Sequence, residues 1–310
     1  MGTQSRRRRE RREAKEKDGV RDERTIGHWA VAFLDLLGYG EALDAFDVED
    51  FPDRGPEMDA FMKRVVRPRN FQRRLLGGIK TFIEGKRDAP TADLSRFPLQ
   101  AQRLAATWRV EQINVGILGD AVTMDMALAP DERHFPARAL DTMLSAACWA
   151  SLIQLSVGQN DPEDTLPLRG GIDVGVGAVM EGQLYSAALK KAVVLERTAK
   201  VPRILVGDRL RKYVDEMAES QGTDMTTEYI RGLMAGAKRF FFRDPTDDAW
   251  CLDFLGEWVR ERMPTAAPFI RPAHVFVQKA LSLHTDDYVL AKYRWLDTYI
   301  KSRLSIWDLG

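Results

Sequence analysis

The stretch Ala30–Gly40, AVAFLDLLGYG, decides how the rest of this chain can be interpreted. Its residues Val31–Leu34 form a short, continuously apolar run, which predicts a strand in the core. Asp35 follows within the same run, where an ionised carboxylate is costly unless a metal ion or a hydrogen-bond network compensates it. The glycines at the end of the stretch favour a tight turn, after which a helix can begin.

Two interpretations of Asp35 stay open on these residues alone. A strand, a carboxylate, a glycine turn and a helix N-terminus together can hold a metal ion and phosphates. Alternatively, Asp35 is an ordinary strand-end residue that accepts hydrogen bonds from backbone amides.

Length and composition predict a globular protein. The 310 residues are 45% hydrophobic and can form one large domain or two small ones. Lys+Arg and Asp+Glu both number 46, so the net charge does not favour nucleic-acid binding. Cys148 and Cys251 stand in apolar contexts without CxxC spacing, which predicts a reducing compartment, the cytoplasm. Neither a long apolar run nor a secretory signal is present, so no membrane partner is expected.

The N-terminal residues 5–24 are almost entirely charged and cannot bury against a core. They predict a disordered tail or a solvated helix. Arg6–Arg9 can bind phosphates or an acidic partner, whereas a solubilising tail is the simpler interpretation.

Changing hydrophobic periodicity along the chain predicts an α/β (α+β) fold with a partly antiparallel sheet. Residues 108–126 alternate around Gly119-Asp120 and predict a β-hairpin with Asp120 at its tip. Residues 58–84 predict a long helix that Pro68 breaks or kinks. Further helices are predicted over 136–157, 186–199, 209–219, 271–283 and 285–304, strands over 167–180 and 201–207, and a second hairpin over 238–256.

Four motifs in order carry a resemblance to a known family. They are FLDLLGYG (33–40), ILGDAVTM (117–124), LRGGIDVGVGAV (168–179) and AVVLERTAKVPRILV (192–206). Together they resemble the catalytic domain of class III nucleotidyl cyclases. The segments RGGI, LE-x-x-A leading to PRI, and a late hairpin ending LDFL look closest to the Pycsar pyrimidine cyclases of bacterial anti-phage defence.

The resemblance implies a mostly antiparallel, class III cyclase-like sheet with helices packed on one face, followed by C-terminal helices. It implies a tail over 1–25, a catalytic domain over 26–258, and a helical extension over 259–310 that packs on the domain or on a dimer. Members of the family work as head-to-tail homodimers, with the active sites between the two chains.

The resemblance also implies a two-metal cyclisation, in which the 3′-hydroxyl of a nucleoside triphosphate attacks the α-phosphate and pyrophosphate leaves. Asp35 and Asp120 stand at the positions of the family's two metal-binding aspartates, and the Leu36 carbonyl is a further ligand. Two Mg²⁺ or Mn²⁺ ions prefer such oxygen ligands. An ordinary Gly-Asp turn remains the alternative for Asp120. The implied phosphate cradle consists of the backbone amides of Leu37, Gly38, Tyr39 and Gly40.

The base-reading positions depart from those of adenylate cyclases. Gly116 stands where those enzymes have Lys, and Gln183 where they have Asp. Because Gln both donates and accepts hydrogen bonds, it suits a pyrimidine edge, which favours UTP or CTP. Arg243, before the turn of the second hairpin, is either a triphosphate contact or a surface arginine.

The transition-state pair of the family is also missing. Lys190 stands at the Asn position and Val194 at the Arg position, and an apolar side chain cannot stabilise the charge on phosphorus. Lys190 or Lys191 can replace the pair, or Arg169 and Arg197 can approach from elsewhere.

We therefore expect a uridylate or cytidylate cyclase that makes 3′,5′-cyclic UMP or CMP. Its diffusible product would act as a second messenger on a separately encoded effector in antiviral defence. Three alternatives stay open. They are a cyclase-like protein that binds a nucleotide without cyclising it, a purine cyclase, and a nucleic-acid-binding module that uses the arginine-rich tail.

Overall fold

The computed structural model describes residues 26–37, 55–88, 113–129, 136–157, 167–180 and 183–309. The predictions for the N-terminal tail, for the turn at Gly38, Tyr39 and Gly40, and for the helix after that turn lie outside these residues.

The described elements form a mixed α/β fold, as predicted. The strands are β1 (Ile26–Leu36), β2 (Asn114–Leu118), β3 (Ala121–Ala127), β4 (Leu168–Met180), β5 (Gln183–Ser186), β6 (Ile204–Val206), β7 (Phe241–Arg243) and β8 (Trp250–Leu252). The helices are α1 (Pro56–Asp88), α2 (Pro136–Val157), α3 (Ala187–Ala199), α4 (Asp208–Ala218), α5 (Met225–Lys238), α6 (Glu257–Arg262), α7 (Ala267–Leu283) and α8 (Asp287–Arg303).

The strands form one mostly antiparallel sheet in the order β2-β3-β1-β4-β6-β8-β7, with β5 added to β4. The strands β4 and β6 pair in parallel. The central pair is β1 with β4, antiparallel from Ile26 opposite Ala178 to Leu36 opposite Leu168. This register sets Asp35 directly opposite Arg169.

Helices cover both faces of the sheet, which corrects the expectation of helices on one face. Side chains alternate along a strand. Ala30, Ala32 and Leu34 of β1 belong to the large core that contains the buried residues of α1 and α2. Trp29 and Val31 instead pack with α3. A strand that is apolar on both sides needs cover on both sides, which explains the continuous apolar run.

Helix α1 runs without interruption through Pro68, so the predicted break is wrong, whereas the alternative of a kink stays a prediction. A proline inside a helix costs roughly 3 kcal/mol. The turns that follow bury Phe71, Leu75, Ile79 and Ile83 on one face. Since each buried apolar side chain contributes about 1.5–3 kcal/mol, this packing outweighs the lost hydrogen bond.

The C-terminal helices pack on the same core as the sheet. Buried residues of α7 and α8 belong to the large cluster that also contains α2. The Tyr299 hydroxyl of α8 donates to Asp253 Oδ1 (2.8 Å) and accepts from the Leu255 amide (2.9 Å). Trp307 Nε1 donates to the Leu255 carbonyl at 2.8 Å. The C-terminal aromatic residues therefore complete the core beside the second hairpin.

Both cysteines, Cys148 and Cys251, are buried free thiols. Among the described helices, none is both long and apolar enough to span a bilayer.

Helix α3 approaches β4 very closely. A Cβ atom built on Gly171 would lie 2.5 Å from Leu195 Cβ and 3.0 Å from the Glu196 nitrogen. A Cβ atom on Gly175 would lie 2.7 Å from the Ala188 nitrogen. The glycines of β4 therefore allow α3 to lie directly on the sheet.

We predict that Gly171→Ala lowers the free energy of unfolding by about 1–3 kcal/mol, because the new methyl group pushes α3 away from β4. Chemical denaturation measures this change. Gly232→Ala on α5 is the matched control, since nothing lies within 4 Å of a Cβ there. It should be neutral or stabilise by up to about 1 kcal/mol. Equal effects of the two substitutions would contradict the close approach.

Candidate active site

The site begins at the end of β1, where Asp35 is only 7% exposed. Its Oδ2 atom accepts a hydrogen bond from Arg169 Nη2 at 3.1 Å. Its Oδ1 atom is buried and has no hydrogen-bond partner in the part of the chain that the structure describes. A buried carboxylate oxygen without a partner is costly, so this atom is available to a ligand.

Arg169 of β4 bridges two acidic side chains. It forms one ion pair with Asp35 and another, through Nε, with Glu196 of α3. Glu196 is 3% exposed. The sequence analysis did not assign Glu196 to the site, although Arg169 was a candidate. The arginine therefore links β1, β4 and α3 at one point.

Asp120 lies in the turn of the β2–β3 hairpin, as predicted. Gly119, which precedes it, has φ +64°, a conformation that favours glycine. The antiparallel pairing of β1 with β3, with Leu34 opposite Val122, brings this turn beside the end of β1. The two aspartates, far apart in sequence, are thus close enough for their charges to interact.

The carboxyl group of Asp35 is a weaker acid than an ordinary aspartate. Burial is the main cause, and the nearby Asp120 and Glu196 carboxylates add to it, so that its pKa rises from 3.8 to about 7. The Arg169 guanidinium acts in the opposite direction. Burial and the two neighbouring carboxylates together therefore outweigh the stabilisation that Arg169 gives to the ionised form.

Helix α1 is tied to the hairpin turn by Gln72, which is buried. Its Nε2 atom donates to the carbonyls of Gly119 (3.1 Å) and Ala121 (3.3 Å), the two residues that flank Asp120. These two bonds fix the turn relative to α1. The sequence analysis missed this residue.

A cavity of about 390 Å³ opens between the hairpin turn and α1. One side is formed by the hairpin turn with Asp120, and the other by α1 with two arginines. The lining residues are Leu36, Arg69, Gln72, Arg73, Ile117, Gly119 and Asp120.

The base-reading candidates lie at different distances from this site. Gly116 lies in β2, opposite Thr123 and close to the hairpin turn. Gln183 lies in β5 opposite Met180, eleven residues along β4 from Arg169. At ~3.3 Å per residue this is roughly 35 Å. Within one chain, Gln183 does not reach Asp35.

The cationic candidates on α3 are exposed or are paired with another residue. Lys190 and Arg197 are exposed, and Val194 is 56% exposed. Lys191 forms an ion pair with Asp173 at 3.7 Å. Among these α3 residues and Arg169, Arg169 is the one that contacts Asp35.

Arg243 lies at the edge strand β7, distant from β1 in the strand order. It pairs with Asp248 of its own hairpin at 2.7 Å and rests over the Trp250 ring. Within one chain it does not line the cavity.

The donor atoms fit a hard divalent cation. Asp35 contributes a buried oxygen without a partner, and Asp120 a second carboxylate close to it. Two carboxylates with further oxygens from water and phosphate are a common ligand set for Mg²⁺. No group of three or more His, Cys, Asp or Glu side chains forms a complete metal cage within the described ranges.

No protein-family model matches this chain, and neither does any curated protein sequence. Among solved structures, the adenylyl cyclase CyaB from P. aeruginosa is similar at 12% identity and a TM-score of 0.38, over 63% of this chain and 83% of that one. A class III adenylyl cyclase-like ATP-binding protein from Pseudomonas aeruginosa is similar at 14% identity and a TM-score of 0.38, over 68% of this chain and 40% of that one. Both likenesses are too low to assign this chain to a family or an activity.

We predict that Asp35→Asn stabilises the protein in EDTA, and increasingly so as the pH rises from about 4 to 7. The folded carboxyl holds its proton up to a pKa of about 7, whereas the unfolded one loses it near 3.8. The free energy of unfolding of the wild type therefore falls over this interval, and the variant lacks this loss. Thermal unfolding at several pH values should show the Tm difference between variant and wild type growing by several degrees and then levelling.

The matched control is Asp208→Asn, because the Asp208 side chain is 97% exposed. Its Tm difference from the wild type should not grow by several degrees over the same pH interval. A Tm difference for Asp35→Asn that does not change with pH would contradict the raised pKa of Asp35 in the folded protein.

Proposed function

We propose that this protein is a nucleotidyl cyclase, which converts UTP or CTP to the 3′,5′-cyclic monophosphate and pyrophosphate. One observation carries the proposal. Two carboxylates, Asp35 and Asp120, from separate elements meet beside a cavity whose opposite wall carries arginines. Acidic groups that bind divalent ions and cationic groups that bind phosphates are the two requirements of a metal–nucleotide site.

Asp35 and Asp120 would hold Mg²⁺ or Mn²⁺, with the Leu36 carbonyl as a further ligand. Bound divalent ions supply a lower pKa for the attacking hydroxyl and positive charge against the triphosphate. Asp35 can ligate through Oδ1 while Oδ2 stays hydrogen-bonded to Arg169, since the two oxygens have different surroundings. Arg169 thereby orients the ligating carboxylate, and Glu196 holds Arg169.

In the proposed reaction, the ribose 3′-oxygen forms a bond to the α-phosphorus. The bond from this phosphorus to the bridging oxygen of the β-phosphate breaks, and pyrophosphate leaves with the electron pair. The hydroxyl proton passes to solvent. Positioning and electrostatic stabilisation account for most of the catalysis of such transfers.

Two positions support the choice of a pyrimidine substrate. Gly116 stands where an adenylate cyclase has Lys, and Gln183 stands where it has Asp. The Gln183 amide offers both a donor and an acceptor to a pyrimidine edge. Its Oε1 atom accepts a bond from the Tyr185 hydroxyl at 3.3 Å. We extend the proposal to a cytoplasmic role, in which the cyclic product diffuses to a separate effector in antiviral defence.

A head-to-tail homodimer is part of the proposal, because Gln183 lies far from Asp35 in its own chain. A partner subunit can supply the base-reading end of its sheet to the aspartates of the first. Lys190 and Arg243 can reach a shared site in the same way. Exposed apolar side chains at both ends of the sheet support such an interface. They are Ile117, Leu118, Val176, Met180 and Tyr185.

We predict that the purified full chain with Mn²⁺ makes a cyclic monophosphate from UTP or CTP, and not from ATP or GTP, when each is supplied separately. Mass spectrometry identifies the product. Asp35→Ala and Asp120→Ala should each reduce turnover at least a hundredfold, because each removes a metal ligand. Asp208→Ala, at an exposed carboxylate, should keep wild-type turnover.

Three results would contradict parts of the proposal. A cyclic purine product would make the protein a purine cyclase. If all four nucleotides are unchanged yet bind with Mn²⁺, the protein is a nucleotide-binding relative without cyclase activity. Full turnover of both aspartate variants would reject the metal site.

We predict that mixing Asp35→Ala chains with Gln183→Ala chains restores activity. In a head-to-tail dimer, each mixed pair has one site with both substitutions and one with neither, so recovery approaches about a quarter of the wild type. Asp35→Ala mixed with Asp120→Ala is the control. Both aspartates belong to one chain's half of the site, so this mixture should stay inactive. Recovery in both mixtures, or in neither, would contradict the shared site.

A further inference from the structure

Two arginines of α1 face the cavity and had no role in the sequence analysis. Arg69 and Arg73 are one helical turn apart and both line the cavity that contains Asp120. Both are exposed, and no described residue forms an ion pair with either. Their guanidinium groups are therefore available to an anion inside the cavity.

The position of these arginines relative to the aspartates is fixed. Gln72 lies between them in sequence and bonds the carbonyls on both sides of Asp120. Because Gln72 is buried, these two bonds tie α1 to the hairpin turn. Arg69 and Arg73 therefore lie on the cavity wall that faces Asp120.

The charge balance of the proposed reaction requires further cations at the site. Two divalent ions and two aspartates leave a net charge of about +2, and a nucleoside triphosphate carries about −4. Arg169 cannot supply the missing charge, because Asp35 and Glu196 already pair with it. Arg69 and Arg73 are two further cations that line the cavity. A planar guanidinium also matches phosphate oxygens in a bidentate manner.

We propose that Arg69 and Arg73 bind the phosphate tail of the nucleotide, the part that leaves as pyrophosphate. This inference rests on the proposed function. The reacting α-phosphorus must lie at the metal-binding carboxylates, so the β- and γ-phosphates extend into the cavity towards α1. The ligand class is a polyphosphate chain, whether free or attached to a nucleoside.

The test is calorimetric titration of the full chain with inorganic tripolyphosphate in the presence of Mn²⁺. Arg69→Ala and Arg73→Ala should each weaken binding about tenfold, and the double variant more than either, because each loses a charge-assisted hydrogen bond. Arg74→Ala is the matched control, since Arg74 is exposed on the same helix but does not line the cavity. It should bind within about twofold of the wild type. Circular dichroism checks that each variant is folded.

A second arm separates the two sources of phosphate. UTP or CTP should show the same losses as tripolyphosphate in the Arg69 and Arg73 variants if the tail of a nucleotide is the ligand. Losses confined to tripolyphosphate would indicate a site for free polyphosphate and overturn the assignment to the nucleotide. Arg69→Lys should recover only part of the affinity, because lysine keeps the charge but lacks the planar guanidinium that donates two hydrogen bonds at once.

Failure of this inference differs from failure of the proposed function. Unchanged tripolyphosphate binding in the double variant, equal weakening by Arg74→Ala, or no binding to the wild type would each overturn the role of the two arginines. Cyclase activity in the wild type would still support the proposed function in those cases. Conversely, tripolyphosphate binding that depends on both arginines, without any cyclic product, would retain the binding site and reject cyclisation.

Discussion

The guanidinium of Arg169 between two buried carboxylates is the interaction on which the rest of the structure depends. Removing the arginine would leave Asp35 and Glu196 buried without their counter-ion, a change that is strongly destabilising. The interaction also requires the β1–β4 register, which sets Asp35 opposite Arg169. It requires α3 to lie directly on β4, which the absence of a side chain at Gly171 allows. The geometry of the site therefore depends at once on the sheet register and on the packing of α3 against β4.

Much of the sheet follows from local pattern, because periodicity and turn residues are local signals. The apolar run around Asp35 and the Gly119-Asp120 turn predicted a strand end and a hairpin tip, and both were found. The helix over 136–157 was predicted with its observed bounds. The meeting of the two aspartates was not a local signal, since it depends on β3 pairing with β1. The resemblance to the cyclase family supplied that expectation.

The residues that were missed act through partners distant in sequence. Glu196 occupies the buried stripe of α3 with Ala188 and Ala192, so a charged residue at the spacing of the apolar face was a usable signal. A carboxylate in such a stripe needs a cation, and none on α3 can supply it from that face. Gln72 beside the buried face of α1 gave no comparable signal, because an amide there is equally typical of a solvated edge.

The sequence also failed to predict several short elements or their lengths. β5 has four residues and β6 three, whereas the apolar pattern predicted a longer strand over 201–207. The length of such a strand is set by its neighbours and not by its own sequence. β6 pairs with β4 only through Gly170, Gly171 and Ile172, and with β8 at Cys251. Helices α5 and α6 were not predicted at all, although α5 has a typical N-cap at Asp224.

The electrostatics of the site explain why a folded protein keeps a costly carboxylate at its centre. The environment of Asp35 raises its pKa to about 7, so the folded chain loses stability when this group ionises. An apolar residue at that position would pack without this loss, and natural sequences depart from such packing mainly where function requires it. The cavity wall opposite Asp120 carries positive charge, so one wall favours cations and the other favours anions. A ligand that satisfies both must present cations to one wall and anions to the other, as a metal–polyphosphate complex does.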